Sequence, residues 1–322
     1  MRVAFDSRAK GDPRGIGRYV RCLLEALQET AQDADEVVEL HTPRRSDVFH
    51  SPWLDGAQLR PPCPMVVTLH DLVNLKRRGE YLRTGVRFRL RYLAVQRADH
   101  VIVPTQVVAQ DAQERLGIEL ERISVIPEAA AAVMYRRDAE QIAAARARYE
   151  LPEEYLLWVG GMLHPEPRKR VAALSQAPRE LPLVLVGPAN RWAHELSDVV
   201  LTGQVSDDEL AAIYSGAHAL VFPSDDEGFG LPTVEALACG TPVVACEAPA
   251  VREVLGDRAT FVELGDMEGL LAAGAAASRP APAPPQWSWA DAARSTWAAY
   301  ATARAPAPLR TRRVPRLPRG AF

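Results

Sequence analysis

The stretch Phe222-Pro-Ser-Asp-Asp-Glu-Gly-Phe-Gly-Leu-Pro-Thr-Val-Glu-Ala-Leu-Ala-Cys-Gly-Thr-Pro242 follows the apolar run Ala219-Leu-Val-Phe222. The apolar run predicts a buried strand, and Pro232 suits the first turn of a helix that begins near Gly230. A loop with three acidic residues joins the two elements. This order of strand, loop and helix is typical of a parallel sheet covered by helices.

The start of the predicted helix is suited to a phosphate group. Its free backbone amides favour an anion, and the two glycines leave no side chain to keep a phosphate away. The candidate diphosphate contacts are Gly228, Phe229, Gly230 and Leu231. Glu227 at the loop tip would face the group attached to the phosphate, and Glu235, about one turn inside the helix, could accept hydrogen bonds from ribose. Taken singly, each glutamate is better explained as a partner of the helix dipole or a solvated loop acid.

The combination of these features points to a family. Glu227-Gly-Phe-Gly-Leu-Pro-Thr-Val-Glu235 resembles the Glu-x7-Glu signature of retaining, nucleotide-sugar-dependent glycosyltransferases of family 4, which have the GT-B fold. The segment Ala236-Leu-Ala-Cys-Gly-Thr-Pro-Val-Val244 resembles the same family. The resemblance implies an α/β protein with two Rossmann-like, doubly wound parallel-sheet domains facing a cleft, and a C-terminal helix that crosses back onto the first domain.

Composition is consistent with this class. A chain of 322 residues can form two domains of ordinary size, and 48 % hydrophobic with 25 % charged residues is typical of a globular protein. The net charge of -3 gives no global preference for nucleic acid, so no nucleic-acid partner is expected. The four cysteines lack the paired spacing of a metal site, and we expect reduced thiols and no metal. Without an apolar leader or a membrane-length apolar run, a cytoplasmic location is expected.

Strand-like runs alternate with helical stretches in both halves of the chain. The predicted strands are 2–5, 37–41, 48–51, 65–70, 100–104, 123–127, 155–159, 183–186, 199–201, 219–222, 243–246 and 260–262. The predicted helices are 17–29, 81–97, 106–116, 138–149, 207–215, 231–238 and 287–303. We place an acceptor-binding domain at 1–150, a nucleotide-sugar-binding domain at 151–285, a crossover helix at 286–304 and a disordered basic tail at 305–322.

Near the start, Gly15 and Gly17 lie in Asp12-Pro-Arg-Gly-Ile-Gly-Arg-Tyr-Val20, just before a predicted helix, so that backbone could approach a ligand closely. Val20 occupies the third glycine position of the dinucleotide-binding fingerprint, which speaks against a hydride-transfer enzyme. The family resemblance implies that this loop faces the donor.

A histidine ends the fourth predicted strand, in Val66-Val-Thr-Leu-His-Asp71. In isolation His70 is better explained as a structural residue, but the resemblance implies a donor-side histidine that contacts the reacting sugar. His50 and Thr105 are weaker candidates for the acceptor side.

The loop after the first strand of the second domain combines Gly160 with the basic run Arg168-Lys-Arg170. Arg or Lys can stabilise the charge that accumulates on a leaving diphosphate, although a basic helix start on the surface is common. The resemblance makes Lys169 the first choice and Arg168 the second. Many relatives have an arginine directly after the glycine, where this chain has Gly161.

Main chain near Gly187 and Gly203 matches family patterns for contact with the nucleotide base. Two further departures from the family concern acidic residues. Glu128 follows Pro127 where relatives often have Asn-Gly, and Asp225 with Asp226 would repel a diphosphate unless both point outward.

The segment from Lys76 to Arg97 carries eight basic residues and one acid. Arg83, Arg87 and Arg91 recur at helical spacing beside an apolar stripe. Two interpretations are equally supported: a helix on an anionic membrane surface, making the protein peripheral to the inner face of the membrane, or an ordinary amphipathic helix packed on its sheet.

The residues and the resemblance together predict a retaining hexosyltransferase, with the nucleotide diphosphate sugar as co-substrate and no other cofactor. GDP-mannose or a similar donor is preferred because the His-Asp and Pro-Arg-Lys segments look most like mannosyltransferases. The acceptor would be a glycan, a lipid-linked glycan or a small molecule. Alternatives are a GT-B hydrolase, epimerase or phosphorylase, or a catalytically silent sugar-nucleotide-binding scaffold.

Overall fold

The computed structural model of the protein describes residues 1–76 and 85–305. The chain divides into two compact units. Unit 1 contains Met1–Asp12, Ile16–Glu128 and the segment from Trp287 onward, and unit 2 contains Pro13–Gly15 and Ala129–Gln286. The predicted tail beyond residue 305 lies outside the described residues.

Unit 1 is built on six parallel strands in the order β2-β1-β3-β4-β5-β6. The strands are β1 (Arg2–Phe5), β2 (Glu36–Glu39), β3 (Val48–Ser51), β4 (Met65–Thr68), β5 (His100–Val103) and β6 (Ile123–Val125). The central strands β3, β4 and β5 are buried along their whole length, as apolar runs in a parallel sheet must be. The described helices of this unit are α1 (Gly15–Glu29), α2 (Val73–Lys76), α3 (Gly85–Arg97), α4 (Gln106–Leu116) and α11 (Trp289–Arg304).

Unit 2 repeats the plan with six parallel strands in the order β12-β11-β10-β7-β8-β9. They are β7 (Leu156–Val159), β8 (Leu183–Val186), β9 (Val199–Gly203), β10 (Ala219–Phe222), β11 (Val243–Cys246) and β12 (Thr260–Val262). The helices are α5 (Ala139–Tyr149), α6 (Val171–Gln176), α7 (Asp207–Gly216), α8 (Leu231–Ala238), α9 (Pro249–Leu255) and α10 (Met267–Ala275). The prediction of two doubly wound parallel sheets is confirmed.

The chain passes from unit 1 to unit 2 after Glu128, whereas the sequence analysis placed the boundary near residue 150. The segment in between is attached to α7. Helix α5 packs against α7, the backbone amide of Arg137 donates to Ser215 Oγ at 2.9 Å, and Arg137 Nη2 is 2.7 Å from Asp208 Oδ1. A composition shift at Leu151 therefore marks the end of a helix inside unit 2.

The C-terminal helix α11 belongs to unit 1, in agreement with the predicted crossing back. Tyr300 is fully buried, and its hydroxyl lies 2.7 Å from His50 Nδ1. His50 Nε2 lies 2.9 Å from Thr68 Oγ1, which is 3.1 Å from the hydroxyl of Tyr19. These four side chains form a buried polar chain that ties α11 to β3, β4 and α1.

His50 and Thr105, the weaker acceptor-side candidates, both have structural contacts. His50 has no exposed surface, and Thr105 caps α4 by accepting a hydrogen bond from the amide of Val108 at 3.3 Å. His50 therefore contacts α11 through Tyr300, and Thr105 caps α4.

The basic helix is described from Gly85. The side chains of Arg83 and Arg87 lie outside the described residues, so the membrane hypothesis stays a prediction. In the described part, Tyr92 and Val95 are buried and Leu90 is 43 % exposed. Over residues 1–76 and 85–305, none of the helices has the length and apolar character needed to cross a membrane.

The buried imidazole of His50 should make unit 1 sensitive to acid. Burial lowers its pKa to about 3, and the charge of His70 acts in the same direction. The unfolded chain therefore binds a proton below about pH 6.5 that the folded protein does not. We expect the free energy of unfolding, measured by urea titration, to fall as the pH is lowered from about 6.5, by up to about 1.4 kcal/mol per pH unit.

The matched variant is His50→Gln, whose amide does not titrate in this range and can still bond Tyr300 and Thr68. Its stability should change less between about pH 6.5 and pH 5 than that of the wild type. Equal slopes for the two proteins would show that His50 is not held neutral by the fold.

Candidate functional site

The candidate site in unit 2 lies where the order of the strands reverses. β7 and β10 are neighbours in the sheet, yet β8 and β9 continue to one side of β7 while β11 and β12 continue from β10 to the other. Open parallel sheets bind ligands at the carboxyl ends of the strands at such a switch point. The two loops that leave this point carry Gly160 to Lys169 and Ser224 to Gly230, and the amide of Asp225 donates to the carbonyl of Arg168 at 3.0 Å.

Three of the predicted glycines form a row across the carboxyl ends of β7, β8 and β9. The amide of Gly160 donates to Val186 O, and the amide of Gly187 donates to Gly203 O, both at 2.9 Å. A Cβ on Gly187 would lie 2.1 Å from the carbonyl oxygen of Gly160, and its φ of +137° also favours glycine. Side chains are therefore absent at all three strand ends, and at Gly187 the fold has no room for one.

The second loop leads into α8 through residues that are largely buried. Gly230 has φ +87° and precedes the first helical residue, Leu231. Gly228 is buried, and Phe229 and Leu231 are 4 % and 7 % exposed. The strand, loop and helix predicted for residues 219–238 are thus confirmed, and the helix starts where the glycines and Pro232 predicted.

The second glutamate of the signature lies inside the unit. Glu235 is 2 % exposed, and its Oε2 accepts a hydrogen bond from the hydroxyl of Tyr214 at 3.2 Å. The role predicted for it, binding a ribose, stays a prediction.

The basic residues at the switch point are bound to carboxylates. Arg168 Nη1 is 2.6 Å from Glu227 Oε2, and Arg168 Nε and Nη2 are each 3.1 Å from Glu166 Oε2. Lys169 Nζ is 3.0 Å from the other oxygen of Glu166. The side chains of Arg168, Lys169 and Glu227 are 17 %, 16 % and 15 % exposed. The structure therefore brings three of the four predicted catalytic residues into one hydrogen-bonded group.

Glu166 is a residue that the sequence analysis missed. Burial alone would raise the pKa of its carboxyl, but the charges of Lys169, Arg168 and Arg14 outweigh this, and the pKa is lower than usual. The carboxylate bridges two cations that would otherwise repel each other. The spacing of three residues between Glu166 and Lys169 is the sequence signal that could have found this contact.

The acidic pair of the loop has partners of its own. Asp225 Oδ2 lies 2.9 Å from Arg170 Nη2, and the carbonyl of Asp226 accepts a hydrogen bond from Arg168 Nη1 at 3.1 Å. The negative charge of Asp225 is therefore balanced inside the unit.

The glycine-rich loop near the start of the chain contributes a further cation. Arg14 belongs to unit 2, and its Cγ and Cδ are each 3.2 Å from the position that a Cβ on Gly161 would occupy. Gly161 thus makes room for the side chain of Arg14, whose charge acts on Glu166. Gly15 is exposed at the start of α1, whereas Gly17 is buried and a Cβ there would lie 1.9 Å from Asp12 O.

The last predicted catalytic residue, His70, lies in unit 1 at the carboxyl end of β4. Its Nδ1 is 3.0 Å from Glu128 Oε1, and its Nε2 is 3.0 Å from the carbonyl oxygen of Pro52. Burial alone would lower the pKa of the imidazole, but the hydrogen bond and charge of Glu128, with Pro52 and Asp71, raise it overall. Glu128, noted in the sequence only as a departure from the family, is thus a direct partner of His70.

The switch point of unit 1, between β1 and β3, is occupied by the unit's own side chains. Asp6 is fully buried, with Oδ1 and Oδ2 at 2.8 and 2.6 Å from Arg8 Nε and Nη2, and with Trp53 Nε1 3.2 Å from Oδ2. Burial raises the pKa of this carboxyl, but the hydrogen bonds and charge lower it overall. These residues join the loops after the two strands.

Comparison with known proteins matches both units to sugar-transferring enzymes. Residues 12–130 match the family described as Glycosyltransferase Family 4, and residues 153–277 match the family described as Glycosyl transferases group 1. The solved structure of HepE from Anabaena in complex with UDP and glucose superposes with a TM-score of 0.65 at 18 % identity, covering 94 % of this chain and 97 % of HepE. This likeness shows the GT-B fold.

Two relatives of known activity share more of the sequence. The serotype-specific mannosyltransferase WbdA of Escherichia coli is 33 % identical in an alignment of 223 positions that covers 61 % of this chain and 27 % of WbdA. A D-inositol 3-phosphate glycosyltransferase of Mycolicibacterium smegmatis is 31 % identical over 246 residues, covering 67 % of this chain and 56 % of that protein. The chain therefore spans about a quarter of WbdA and a little over half of the second relative.

The left-handed backbone at Gly230 makes a stability prediction for the loop after β10. Gly230→Ala would force a side chain into φ +87° and place its Cβ 3.4 Å from Val251 Cγ2. We expect the free energy of unfolding to fall by about 1–2 kcal/mol, measured by chemical denaturation. Gly11→Ala is the control, because no atom lies within 4 Å of the added Cβ. An unchanged stability of Gly230→Ala would mean that the loop does not need this conformation.

Proposed function

We propose that the chain is a retaining hexosyltransferase, because residues 12–130 match the family described as Glycosyltransferase Family 4 and residues 153–277 match the one described as Glycosyl transferases group 1. It moves a sugar from a nucleotide diphosphate sugar to a glycan, a lipid-linked glycan or a small-molecule acceptor. The donor binds to unit 2 and the acceptor to unit 1. The observation that carries the proposal is the pair of cations, Arg168 and Lys169, at the switch point of the second sheet.

A diphosphate is the ligand that fits this pair best. Two adjacent cations with side chains 17 % and 16 % exposed can each form a charge-assisted hydrogen bond to a phosphate oxygen. They would stabilise the negative charge that grows on the diphosphate as the sugar leaves, without help from a metal ion. In the free protein, the carboxylates of Glu166 and Glu227 balance the positive charge of Arg168 and Lys169.

The other residues of unit 2 have roles around the diphosphate. The amides of Gly228 to Leu231 face the phosphates at the start of α8, and Glu227 exchanges Arg168 for hydroxyl groups of the donor sugar. Main chain at Gly160, Gly187 and Gly203 borders the nucleotide base, and Glu235 binds the ribose. Gly15 and Gly17, in the first turn of α1, allow main chain to approach the donor.

The donor sugar is mannose in this proposal, carried by GDP or a similar nucleotide. The likeness to the mannosyltransferase WbdA supports this choice. HepE, which shares the fold, was solved with UDP and glucose, which supports a nucleotide sugar as the co-substrate. No further cofactor is proposed.

The reaction keeps the configuration of the sugar by attack on the face from which the diphosphate leaves. The bond from the sugar's C1 to the diphosphate oxygen breaks, and the acceptor oxygen bonds to C1. The acceptor's proton passes to the departing phosphate oxygen, which acts as the base. His70 is the residue proposed to contact the reacting sugar.

Product analysis tests the proposal. The protein is incubated with GDP-mannose, UDP-glucose and ADP-glucose, with and without glycan or inositol acceptors, and the products are separated by chromatography. We expect nucleoside diphosphate and a glycosylated acceptor to form together. Free sugar or an epimer formed without acceptor would identify a hydrolase or epimerase, and no turnover of any donor would favour a binding scaffold.

Two variants connect the turnover to the site. Lys169→Ala and Glu227→Gln should each lower kcat/KM by about 100- to 1,000-fold, because each removes a group that contacts the donor. Arg191→Ala is the control, since its side chain is a 92 % exposed cation of the same unit that forms an ion pair with Glu195, four residues on. Turnover that is unchanged in both site variants would contradict the assignment.

A further inference from the structure

We propose that Glu128 is a positioning residue that keeps His70 doubly protonated and fixed, so that His70 acts as a hydrogen-bond donor and never as a base. This inference deepens the proposed transfer reaction and rests on it for its catalytic meaning. The arrangement of the side chains, however, can be tested without any turnover.

The carboxyl ends of three strands meet at His70. Pro52 directly follows β3, His70 lies two residues after β4, and Glu128 lies three residues after β6. The imidazole is held between the carbonyl of Pro52 and the carboxylate of Glu128, each 3.0 Å from one ring nitrogen. The ring of Tyr19 meets it edge-on, with the ring centroids 4.5 Å apart. The imidazole is therefore hydrogen-bonded at both nitrogens and packed against one aromatic ring.

The partners decide where the protons are. A backbone carbonyl can only accept a hydrogen bond, so Nε2 must carry a proton to bond Pro52. An ionised carboxylate can likewise only accept, so Nδ1 must carry a proton to bond Glu128. With hydrogen on both nitrogens the ring is an imidazolium. The Glu128 carboxylate, 5 % exposed as a residue, is the nearby negative charge that makes this form favourable.

The surrounding charges favour the same state. Asp71, the next residue, adds a second negative charge near the ring. His50, on β3, is buried, and the charge of His70 helps to keep it neutral. Tyr19, from α1, uses its hydroxyl on Thr68. The two carboxyl groups beside the ring, those of Glu128 and Asp71, thus both act to raise the pKa of His70.

An imidazolium has no lone pair to receive a proton. His70 therefore cannot take the proton of the acceptor hydroxyl, and in the proposed reaction that proton goes to the departing phosphate oxygen. What His70 offers is a charge-assisted N–H at Nε2, which can be shared between the Pro52 carbonyl and a sugar hydroxyl while Glu128 holds the other nitrogen. Glu128 acts only through His70, since its bond is to the ring.

The test is NMR of the ring nitrogens with ¹⁵N-labelled histidine in the full chain, with His70→Gln to assign the signal. We expect both His70 nitrogens to show protonated shifts at neutral pH, and the signal to titrate above the ordinary value of about 6.5. Glu128→Gln keeps the shape but removes the charge, and should lower the titration midpoint by at least about one pH unit. Glu121→Gln, an exposed glutamate of the same unit, should leave it unchanged.

Two results would overturn the inference: an unprotonated His70 nitrogen in the wild type at neutral pH, or the same midpoint in Glu128→Gln. The wild-type measurement decides the matter even where the variant does not fold.

A second measurement uses turnover, once a donor and an acceptor are known. Loss of activity with rising pH should begin at lower pH in Glu128→Gln than in the wild type, while Glu121→Gln follows the wild type. An unchanged profile would contradict a role for the charge. Absence of turnover in the wild type would reject the proposed function and leave the NMR result standing, so the two failures are distinguishable.

Discussion

The carboxylate of Glu166 holds a guanidinium and an ammonium side by side at the switch point of the second sheet. Without it, Arg168 and Lys169 would repel each other at a place with little access to water. Removing one partner of a largely buried ion pair costs about 3–5 kcal/mol, whereas an exposed pair contributes about 0–1 kcal/mol. Because the side chains of Arg168 and Lys169 are about five-sixths buried, the cost of removing Glu166 lies nearer the value for a buried ion pair. A ligand with two negative charges can take over the role of the acids.

The fold explains why this group forms where it does. The loops after β7 and β10 are neighbours because their strands are neighbours, although they are about sixty residues apart in sequence. The backbone bond from Asp225 to Arg168 joins them, and the ion pair of Arg170 with Asp225 lies beside it. Unit 1 shows a related arrangement, because there a buried carboxylate, that of Glu128, lies 3.0 Å from Nδ1 of His70.

Much of the architecture could be predicted from the sequence, because apolar runs of four residues between helical stretches specify a parallel sheet. The loop from Phe222 to Gly230 was predictable for the same reason, since glycine and proline mark its turns. The partners of the site residues were not predictable. The exception is the ion pair of Glu166 with Lys169, which is local because the two residues are three apart in sequence. The approach of Arg14 to Gly161 and the contact of Glu128 with His70 join distant parts of the chain, and spacing does not reveal them. The boundary after Glu128 was missed because α5 is attached to unit 2 by packing, which composition does not reveal.

The most direct test of the central claim is calorimetric titration of the protein with GDP, UDP and ADP. The account predicts that at least one of these diphosphates binds, and that Arg168→Ala weakens the binding by about 10- to 100-fold, as expected for loss of a charge-assisted hydrogen bond. The exposed-cation variant Arg191→Ala should bind as the wild type does. Failure of all three nucleotides to bind, or equal affinity in wild type and Arg168→Ala, would contradict the account.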